Sequence, residues 1–262
     1  MGWCECAAFF EMISSVSIGP LIVHFYGLFL GIAIAVGWWW ASRLIRLAGG
    51  DEKRFEVVGI WAVVGGVVGA RLYHVVDYWW YYSQHMVETF FLWQGGLGIW
   101  GAIGGGFVGG VIACRDQWGS LPQYLDAMAF AMPLSQAIGR WGNWVNYELY
   151  GKPTSLPWKW YIPQEFRPTS MTDIAYYHPL FLYESLLSLG LFFCLYWWFK
   201  PRSLGRMYGF GAFLMGYGLI RFVLEPFRIS PWIWNGIPVA QIISLVSIGI
   251  GGWWWIRQLR GV

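Results

Sequence analysis

The chain has 262 residues, of which 57% are hydrophobic and only 12% are charged. Soluble domains carry about 25% charged residues, so this composition predicts an integral membrane protein. The net charge of +3 is too small to indicate a nucleic-acid-binding protein. The four cysteines have no spacing typical of a zinc site, and we expect Cys4 and Cys6 to be free thiols rather than a disulfide pair.

Seven segments are apolar and long enough to be membrane-spanning helices, which need about 20 residues each. They cover residues 18–41, 55–76, 97–114, 125–143, 180–199, 207–226 and 237–256. The prediction is therefore an all-α polytopic membrane protein with one transmembrane domain, residues 1–262. The proline-containing segment 144–179, between the fourth and fifth helices, is too polar to span a bilayer, and we expect a small cap or lid there.

Basic residues in the loops predict the orientation, because such residues are enriched on the cytoplasmic side of a membrane. Ten Lys and Arg residues fall in the loops after the first, third and fifth helices and at the C-terminus, whereas four fall in the other loops. With seven helices, this bias predicts that the N-terminus is outside and that the C-terminus is cytoplasmic. The segment 144–179 would then be extracytoplasmic.

Glycines recur every fourth residue in the first three predicted helices, at Gly27 and Gly31, at Gly65 and Gly69, and at Gly101, Gly105 and Gly109. Small residues four apart allow two helix backbones to approach closely. We interpret the glycines as packing positions rather than as a nucleotide-binding fingerprint, because no predicted strand precedes them.

Three arginines lie within the predicted spans, although a charged side chain at the bilayer centre costs about 2.5–3.5 kcal/mol on insertion scales. With the predicted orientation, Arg71, Arg140 and Arg221 all fall in the outer half of the membrane. Tyr217, Arg221 and Glu225 are spaced four apart and therefore share one helical face. The pattern indicates a polar site near the outer surface.

Two interpretations of this site remain open. An internal ion-pair set would join Arg221 to Glu225, and Arg140 to Glu148 or Glu184, because buried charges need partners. A binding site for an anionic lipid headgroup would instead use surplus positive charge, since a guanidinium binds phosphate through two parallel hydrogen bonds.

Three histidines are candidate proton acceptors, because imidazole titrates near neutral pH. His178 is the strongest of them, since His178-Pro179 begins the fifth helix beside the proposed site. His24, on the first predicted helix, and His74, on the second, are weaker candidates. A lone histidine is more often structural, and for His178 the two interpretations are evenly balanced.

The segment Gly139–Gly151 reads GRWGNWVNYELYG and carries Arg140, Asn143, Asn146 and Glu148. This pattern resembles the GRxGNFxNxExxG signature of the bacterial prolipoprotein diacylglyceryl transferases, with Trp144 in place of the phenylalanine. Further segments match that family in the same order along most of the chain. They are Phe25–Gly27, Gly69–Arg71, Gly95–Leu97, His178–Glu184 and Tyr217–Arg228.

Members of that family transfer the diacylglyceryl group of phosphatidylglycerol to the lipobox cysteine of a preprolipoprotein, which is the first step of lipoprotein maturation. The resemblance implies that a thiolate attacks the glyceryl carbon, that a thioether forms and that glycerol 1-phosphate leaves. It also implies a multi-pass protein of the bacterial inner membrane, with its active site toward the outer leaflet and with no cofactor or metal.

The resemblance also implies roles for individual residues. Arg140 and Arg221 are expected to bind the phosphate and to stabilise the charge that develops on it. Asn143, Asn146 and Tyr26 are expected to hold headgroup or ester oxygens. Glu225 is expected to orient Arg221 or a substrate hydroxyl. The other predicted substrate-binding residues are Glu148, Gly151, Arg71, Tyr217 and Arg228.

One departure from the family concerns the proton of the attacking thiol. Some members have a histidine, proposed as the general base, at the start of the third helix, where this chain has Trp100. A thiol with an ordinary pKa of about 8.5 needs only modest help to ionise. We expect that help first from the positive field of the arginines, and otherwise from His178 or Tyr26.

Two other function classes remain open. A transporter or channel for an anionic solute would also explain the arginines and the glycine-rich helices. Against it, the charges within the predicted spans fall in one half of the membrane, and no inverted repeat is visible. An inactive lipid-binding or scaffold protein would explain why Trp100 stands where some family members have a histidine.

Overall fold

An α-helix occupies the place of each predicted span in the computed structural model, which describes residues 15–18, 21–91, 96, 98–198, 204–229 and 232–260. Cys4 and Cys6 lie outside these residues. The long helices are α1 (Phe25–Leu47), α2 (Glu52–Asp77), α3 (Ile99–Cys114), α4 (Leu121–Val145), α5 (Leu180–Trp198), α6 (Tyr208–Leu224) and α7 (Val239–Arg260), and a single helical turn covers Trp79–Tyr82.

Five helices of the described chain are long and apolar enough to cross a membrane, namely α1, α2, α5, α6 and α7. α3 is a shorter apolar helix. α4 contains Pro133 and carries polar residues in its second half, and it does not meet the same criterion. The structure is therefore that of a mostly helical membrane protein, while seven crossings and their orientation stay predictions.

The first predicted span begins too early. Residues 15–18 and 21–24 form strands β1 (Ser15–Ile18) and β2 (Leu21–His24), which pair antiparallel, and α1 begins only at Phe25. The sequence explains the difference, because β-branched residues flank Gly19-Pro20, a dipeptide that favours a turn. His24 is the last residue of a strand, and the prediction that it lies on the first helix is therefore wrong.

Contacts within the chain define two units, residues 45–124 and residues 1–44 together with 125–262. In the first unit, α2 and α3 touch through their backbones. A Cβ added to Gly105 would overlap the carbonyl oxygen of Gly65 and would lie 2.8 Å from the Cα of Gly69. The predicted role in close helix packing is confirmed for the glycine repeats of α2 and α3. It is wrong for Gly27 and Gly31 of α1, where an added Cβ would have no described atom within 4 Å.

We expect Gly105→Ala to lower the thermal denaturation midpoint of the detergent-solubilised protein. The added methyl group meets backbone atoms that cannot rotate away, and overpacking of this kind costs about 1–3 kcal/mol. Gly104→Ala is the matched control, because no atom lies within 4 Å of a Cβ at that position. Alanine favours a helix by about 1 kcal/mol over glycine, so the control should leave the midpoint unchanged or raise it. Equal midpoints for both variants would contradict this packing.

In the second unit, α4 packs against α1 and α5, and α6 packs against α7. A Cβ on Gly37 of α1 would overlap the hydroxyl of Ser135 on α4. Ser185 of α5 donates a hydrogen bond to the carbonyl of Ala137 on α4 at 2.8 Å. A Cβ on Gly251 of α7 would overlap the backbone of α6. These contacts help to hold α4, α5 and α6, the three helices that carry most of the predicted polar site.

A buried carboxylate fixes the start of α6. Asp126 of α4 is fully buried and accepts backbone hydrogen bonds from Gly205 at 2.9 Å, Met207 at 2.8 Å and Phe210 at 2.9 Å. Met207 has a left-handed backbone, with φ of 60°. Amide donors at a helix N-terminus offset the cost of burying a carboxylate. Asp126 therefore holds the start of α6, the helix that carries Tyr217 and Arg221.

The segment between α4 and α5 is folded, but it contains no α-helix. Strand β3 (Trp160–Tyr161) pairs antiparallel with β4 (Tyr176–Tyr177). Arg167 in the intervening loop donates to the carbonyls of Ile162 at 2.8 Å and Thr172 at 2.7 Å. We call residues 146–179 the cap. Its position outside the membrane remains a prediction.

A third hairpin precedes α7. Strand β5 (Ile233–Trp234) pairs antiparallel with β6 (Ile237–Pro238) across Asn235-Gly236. These two residues have φ of 48° and 80°, the left-handed conformation that a tight two-residue hairpin turn requires.

Candidate active site

The end of α4 leads directly into a sharp reversal of the chain. The helix ends at Val145, and Tyr147 and Leu149 then have left-handed φ angles of 53° and 54°. Such angles are uncommon for bulky residues and are often found at functional sites. The Tyr147 ring stacks on Phe166 of the cap, with centroids 5.0 Å apart, and Phe181 N donates to Leu149 O at 3.0 Å. Burial raises the pKa of the Tyr147 phenol.

The centre of the site is Glu184 of α5, whose side chain is 1% exposed. Arg140 Nη2 donates to its Oε1 at 2.6 Å, and the hydroxyl of Tyr217 donates to the same oxygen at 3.0 Å. Arg221 Nη1 lies 3.5 Å from Oε2. One carboxylate from α5 thus joins an arginine of α4 to a tyrosine and an arginine of α6.

A second buried carboxylate extends the row. Glu225 is also 1% exposed, and its Oε2 lies 3.1 Å from Arg221 Nη2 and 3.6 Å from Arg228 Nη1. The predicted common face of Tyr217, Arg221 and Glu225 is confirmed by the Arg221–Glu225 pair. The order in space is Arg140, Glu184, Arg221, Glu225 and Arg228, which we call the arginine–carboxylate row.

The row combines both interpretations that the sequence left open. Arg140 pairs with Glu184 rather than with Glu148, and Arg221 pairs with Glu225, so an internal ion-pair set is present. Its formal charges do not cancel, because three guanidinium groups face two carboxylates and leave one net positive charge. The arginines are 27%, 18% and 37% exposed while both carboxylates are buried, so the exposed side of the row is positive.

Glu148 holds the two asparagines of the signature segment. Asn143 Nδ2 donates to Oε2 at 3.2 Å, and Asn146 Nδ2 donates to Oε1 at 3.3 Å. The side-chain oxygen of Asn143 accepts from Arg140 Nη1 at 3.2 Å. The Asn143 amide therefore connects Arg140 to Glu148. The hydrogen-bond network brings together all four polar residues of the signature segment.

Gly151 lies between two backbone segments. Its N–H donates to the carbonyl of His178 at 2.8 Å, and it forms a β-bridge with Arg228 on the other side. A Cβ at this position would lie 2.7 Å from the carbonyl oxygen of Phe227 and 2.9 Å from Leu180 Cγ. Gly151 therefore ties the cap to the end of the row without using a side chain.

We expect Gly151→Ala to displace the segment that carries Arg228 and to lower activity by about 10-fold or more, as small misplacements of a site residue do. The protein should still fold, because overpacking by one methyl group costs about 1–3 kcal/mol, and an unchanged far-UV circular dichroism spectrum would verify it. Initial rates should be compared with those of Gly119→Ala, since no atom lies within 4 Å of a Cβ at Gly119. Full activity of Gly151→Ala would show that close contact at Gly151 is unimportant.

Tyr26 packs beside the same helix end. It lies in the first turn of α1, is 38% exposed and contacts Gly142 of α4, where an added Cβ would lie 3.0 Å from the Tyr26 ring. His178 stands where the cap meets α5. Its backbone N–H donates to Lys152 O at 3.1 Å, and its ring packs on Phe227 with centroids 5.3 Å apart.

Arg71 belongs to the unit formed by residues 45–124 and has backbone partners there. It is 5% exposed and donates to the carbonyls of Glu88 at 2.5 Å, Thr89 at 2.8 Å and Gly96 at 3.2 Å. Its guanidinium also lies 5.2 Å from the centroid of the Tyr82 ring. Arg71 therefore holds the loop before α3, and its predicted role in substrate binding stays a prediction.

Two other predicted positions lie in that unit. His74 packs on Tyr78, with ring centroids 4.6 Å apart. Trp100, in the first turn of α3, is 59% exposed. Within the described residues, no group of three or more His, Cys, Asp or Glu side chains is placed to hold a metal ion.

Sequence reasoning gave too little weight to three residues. Glu184 entered only as one possible partner of Arg140, although it is the centre of the row. Tyr183 entered only as part of the segment His178–Glu184, and Trp158 was given no role, yet Trp158 Nε1 donates to the Tyr183 hydroxyl at 2.7 Å beside His178. The signal for Glu184 was its place within an apolar span, where a lone carboxylate needs a cationic partner.

Known proteins match this chain over nearly its whole length. The model of the prolipoprotein diacylglyceryl transferase family matches residues 14–257. A phosphatidylglycerol–prolipoprotein diacylglyceryl transferase of Thermosynechococcus vestitus is 39% identical over 94% of this chain and 92% of its own length. The corresponding protein of Acaryochloris marina is 37% identical over 93% and 90%. A second transferase of Streptomyces coelicolor is 43% identical over 80% and 67%. The chain belongs to the prolipoprotein diacylglyceryl transferase family.

Proposed function

We propose that this protein transfers the diacylglyceryl group of phosphatidylglycerol to a cysteine thiol of a prolipoprotein. Family membership and the names of the relatives support the reaction. The arginine–carboxylate row is the structural observation that supports it most directly. Its net single positive charge matches the single negative charge of a lipid phosphodiester.

The chemistry requires one bond to form and one to break. The cysteine sulfur, as thiolate, attacks the glyceryl carbon that bears the phosphate ester. The carbon–sulfur bond forms as the carbon–oxygen bond breaks, and the electron pair leaves with the phosphate. The products are a thioether-linked diacylglyceryl peptide and glycerol 1-phosphate, and the thiol proton is released to the solvent or to the departing phosphate.

The row is suited to the charge that develops on the leaving group. Arg140 and Arg221 would donate to the phosphate oxygens, and preorganised donors of this kind contribute about 10²–10³ in rate each. Glu184 and Tyr217 hold these arginines in position before substrate binds. Arg140 Nε is buried without a hydrogen-bond partner among the described residues, so this arginine retains an unused donor.

The same positive field would favour the attacking thiolate. An adjacent cationic group lowers the pKa of a thiol below its ordinary value of about 8.5. The field acts without a dedicated base, which accounts for reaction in a chain that has Trp100 where some family members have a histidine. Asn146 and Tyr26, both at the same helix end, would contact the headgroup or ester oxygens.

The membrane arrangement extends the proposal. Seven crossings of a bacterial inner membrane, with the N-terminus outside, would place the row and the cap toward the outer leaflet. The loop-charge bias supports this orientation. Phosphatidylglycerol would then enter from the outer leaflet, and the lipobox cysteine of the prolipoprotein would reach the row from the same side.

The test uses purified protein in vesicles with phosphatidylglycerol and a synthetic lipobox peptide. Mass spectrometry should detect peptide that carries one diacylglyceryl group on sulfur, and a peptide with serine in place of cysteine should stay unmodified. No product, under conditions in which the Thermosynechococcus vestitus transferase is active, would contradict the proposal. Protein-dependent flux of an anionic solute without peptide modification would favour the transporter.

A further inference from the structure

A hydrogen-bonded relay joins Trp158 of the cap, through Tyr183 of α5, to His178 near the end of the cap. Trp158 Nε1 of the cap lies 2.7 Å from the hydroxyl oxygen of Tyr183. The same oxygen lies 3.1 Å from His178 Nδ1. Tyr183 is in the first turn of α5, and His178 lies two residues before that helix. The indole of Trp158 is therefore linked to the His178 ring through Tyr183.

The direction of the relay follows from the chemistry of the three groups. An indole N–H only donates, so the Tyr183 oxygen accepts from Trp158. Tyr183 packs against the apolar cluster of Leu180, Ile220 and Leu224. Within the described residues, His178 Nδ1 is the other polar atom in hydrogen-bond contact with its hydroxyl. We assign the tyrosine proton to Nδ1, the acceptor in contact with the hydroxyl; Nδ1 is then unprotonated, and neutral His178 carries its proton on Nε2.

The ring is also fixed in space. The backbone of His178 is bonded on both sides, through its N–H to Lys152 and through its carbonyl to Gly151. The ring packs on Phe227, and Gly151 is bridged to Arg228 at the end of the row. Gly151 is thus joined to His178 on one side and to Arg228 on the other, which fixes the position of His178 relative to the end of the row.

We propose that Trp158 and Tyr183 are positioning residues that hold His178 as the Nε2–H tautomer, so that His178 acts as a hydrogen-bond donor to an oxygen of the lipid substrate and not as the general base. The part that concerns the substrate rests on the proposed function. The tautomer does not, because it is a property of the protein alone. The thiol proton is then released to the solvent or to the departing phosphate and not to His178, in agreement with a thiolate stabilised by the positive field of the arginines.

Histidine side-chain ¹⁵N NMR tests the tautomer directly. The spectrum is recorded on the full-length protein in detergent, at a pH well above the ordinary histidine pKa of about 6.5. The signals of His178 are identified by their loss in His178→Gln. We expect a protonated Nε2 and an unprotonated Nδ1 in the wild type, and a mixture of tautomers in Tyr183→Phe. A protonated Nδ1, or a tautomer unchanged by Tyr183→Phe, would overturn the relay.

The transfer rates of His178 variants distinguish a hydrogen-bond donor from a general base. Loss of one hydrogen bond changes a rate by about 2- to 10-fold, whereas loss of a general base costs about 10²–10⁴-fold. We expect His178→Ala to fall in the first range and His178→Gln, which places an amide donor near the position of Nε2, to recover most of the rate. A loss above 100-fold in both variants would overturn the donor role.

A tyrosine elsewhere on the cap provides the control for Tyr183→Phe. Tyr176 is 43% exposed on β4, outside the relay, and its ring lies under the Lys159 ammonium at 4.3 Å. Tyr176→Phe should leave the His178 signals and the rate unchanged. Absence of all transfer activity in the wild type would contradict the proposed function, while the NMR result would still decide the tautomer.

Discussion

Arg140→Lys is expected to lower the rate of peptide lipidation by about 100-fold or more, the range observed when a preorganised donor is removed from a site of developing charge. In the wild type, one guanidinium donates to Glu184 at 2.6 Å and to Asn143 at 3.2 Å. A single ammonium group cannot keep both contacts and also bind a phosphate through two parallel hydrogen bonds. Initial rates at varied phosphatidylglycerol concentration should show a raised KM and a lowered kcat.

Arg167→Lys is the matched control for this experiment. Arg167 is an arginine of the cap that donates to two backbone carbonyls and lies outside the row. Its replacement should leave the rate within about threefold of the wild type, the effect of a weakened hydrogen bond. If Arg140→Lys retained full activity, or if both variants lost activity to the same extent, Arg140 would not be the phosphate ligand.

Glu184→Gln should have the second large effect, on stability as well as on rate. Removal of this charge leaves Arg140 and Arg221 beside each other without the carboxylate that joins them. Breaking a buried ion pair by removing one partner costs about 3–5 kcal/mol. We therefore expect a lower denaturation midpoint and a lower kcat. KM for phosphatidylglycerol should not rise, because the net positive charge of the row increases by one.

Glu184→Asp keeps the charge and shortens the side chain, so it should restore part of the stability and part of the rate. Glu165→Gln removes an exposed carboxylate of the cap and should change neither quantity. A raised KM with an unchanged kcat in Glu184→Gln would indicate that Glu184 binds substrate directly. That result would contradict its role in holding the two arginines.

Local spacing made part of this site predictable. The four-residue spacing of Arg221 and Glu225 brings the two side chains to one face at the end of α6, and the structure contains this ion pair. Hydropathy predicted the five helices that are long and apolar enough to cross a membrane, because a run of about 20 apolar residues has few alternatives to a helix. The glycine repeats predicted close helix packing for an equally local reason, and α2 and α3 pack closely through them.

The contacts of Glu184 were not predictable by the same means. It meets Arg140 and Arg221 only because α4, α5 and α6 pack together, and no periodicity specifies such a meeting. Arg71 shows the converse problem. Its predicted depth in the membrane is the same as that of Arg140 and Arg221, so the sequence grouped the three arginines. Depth does not reveal the partners of a guanidinium, and Arg71 donates to backbone carbonyls. The N-terminal hairpin was missed because its strands are as apolar as a helix.

Phosphatidylglycerol labelled in the headgroup glycerol provides the most direct test of the central claim, which is that the arginine–carboxylate row moves a diacylglyceryl group from phosphate to sulfur. Released glycerol phosphate and thioether-linked peptide should be counted in the same reaction. We predict equal amounts of the two products, with both lost together in Arg140→Lys. Release of glycerol phosphate without modified peptide, or equal transfer by wild type and Arg140→Lys, would contradict the claim.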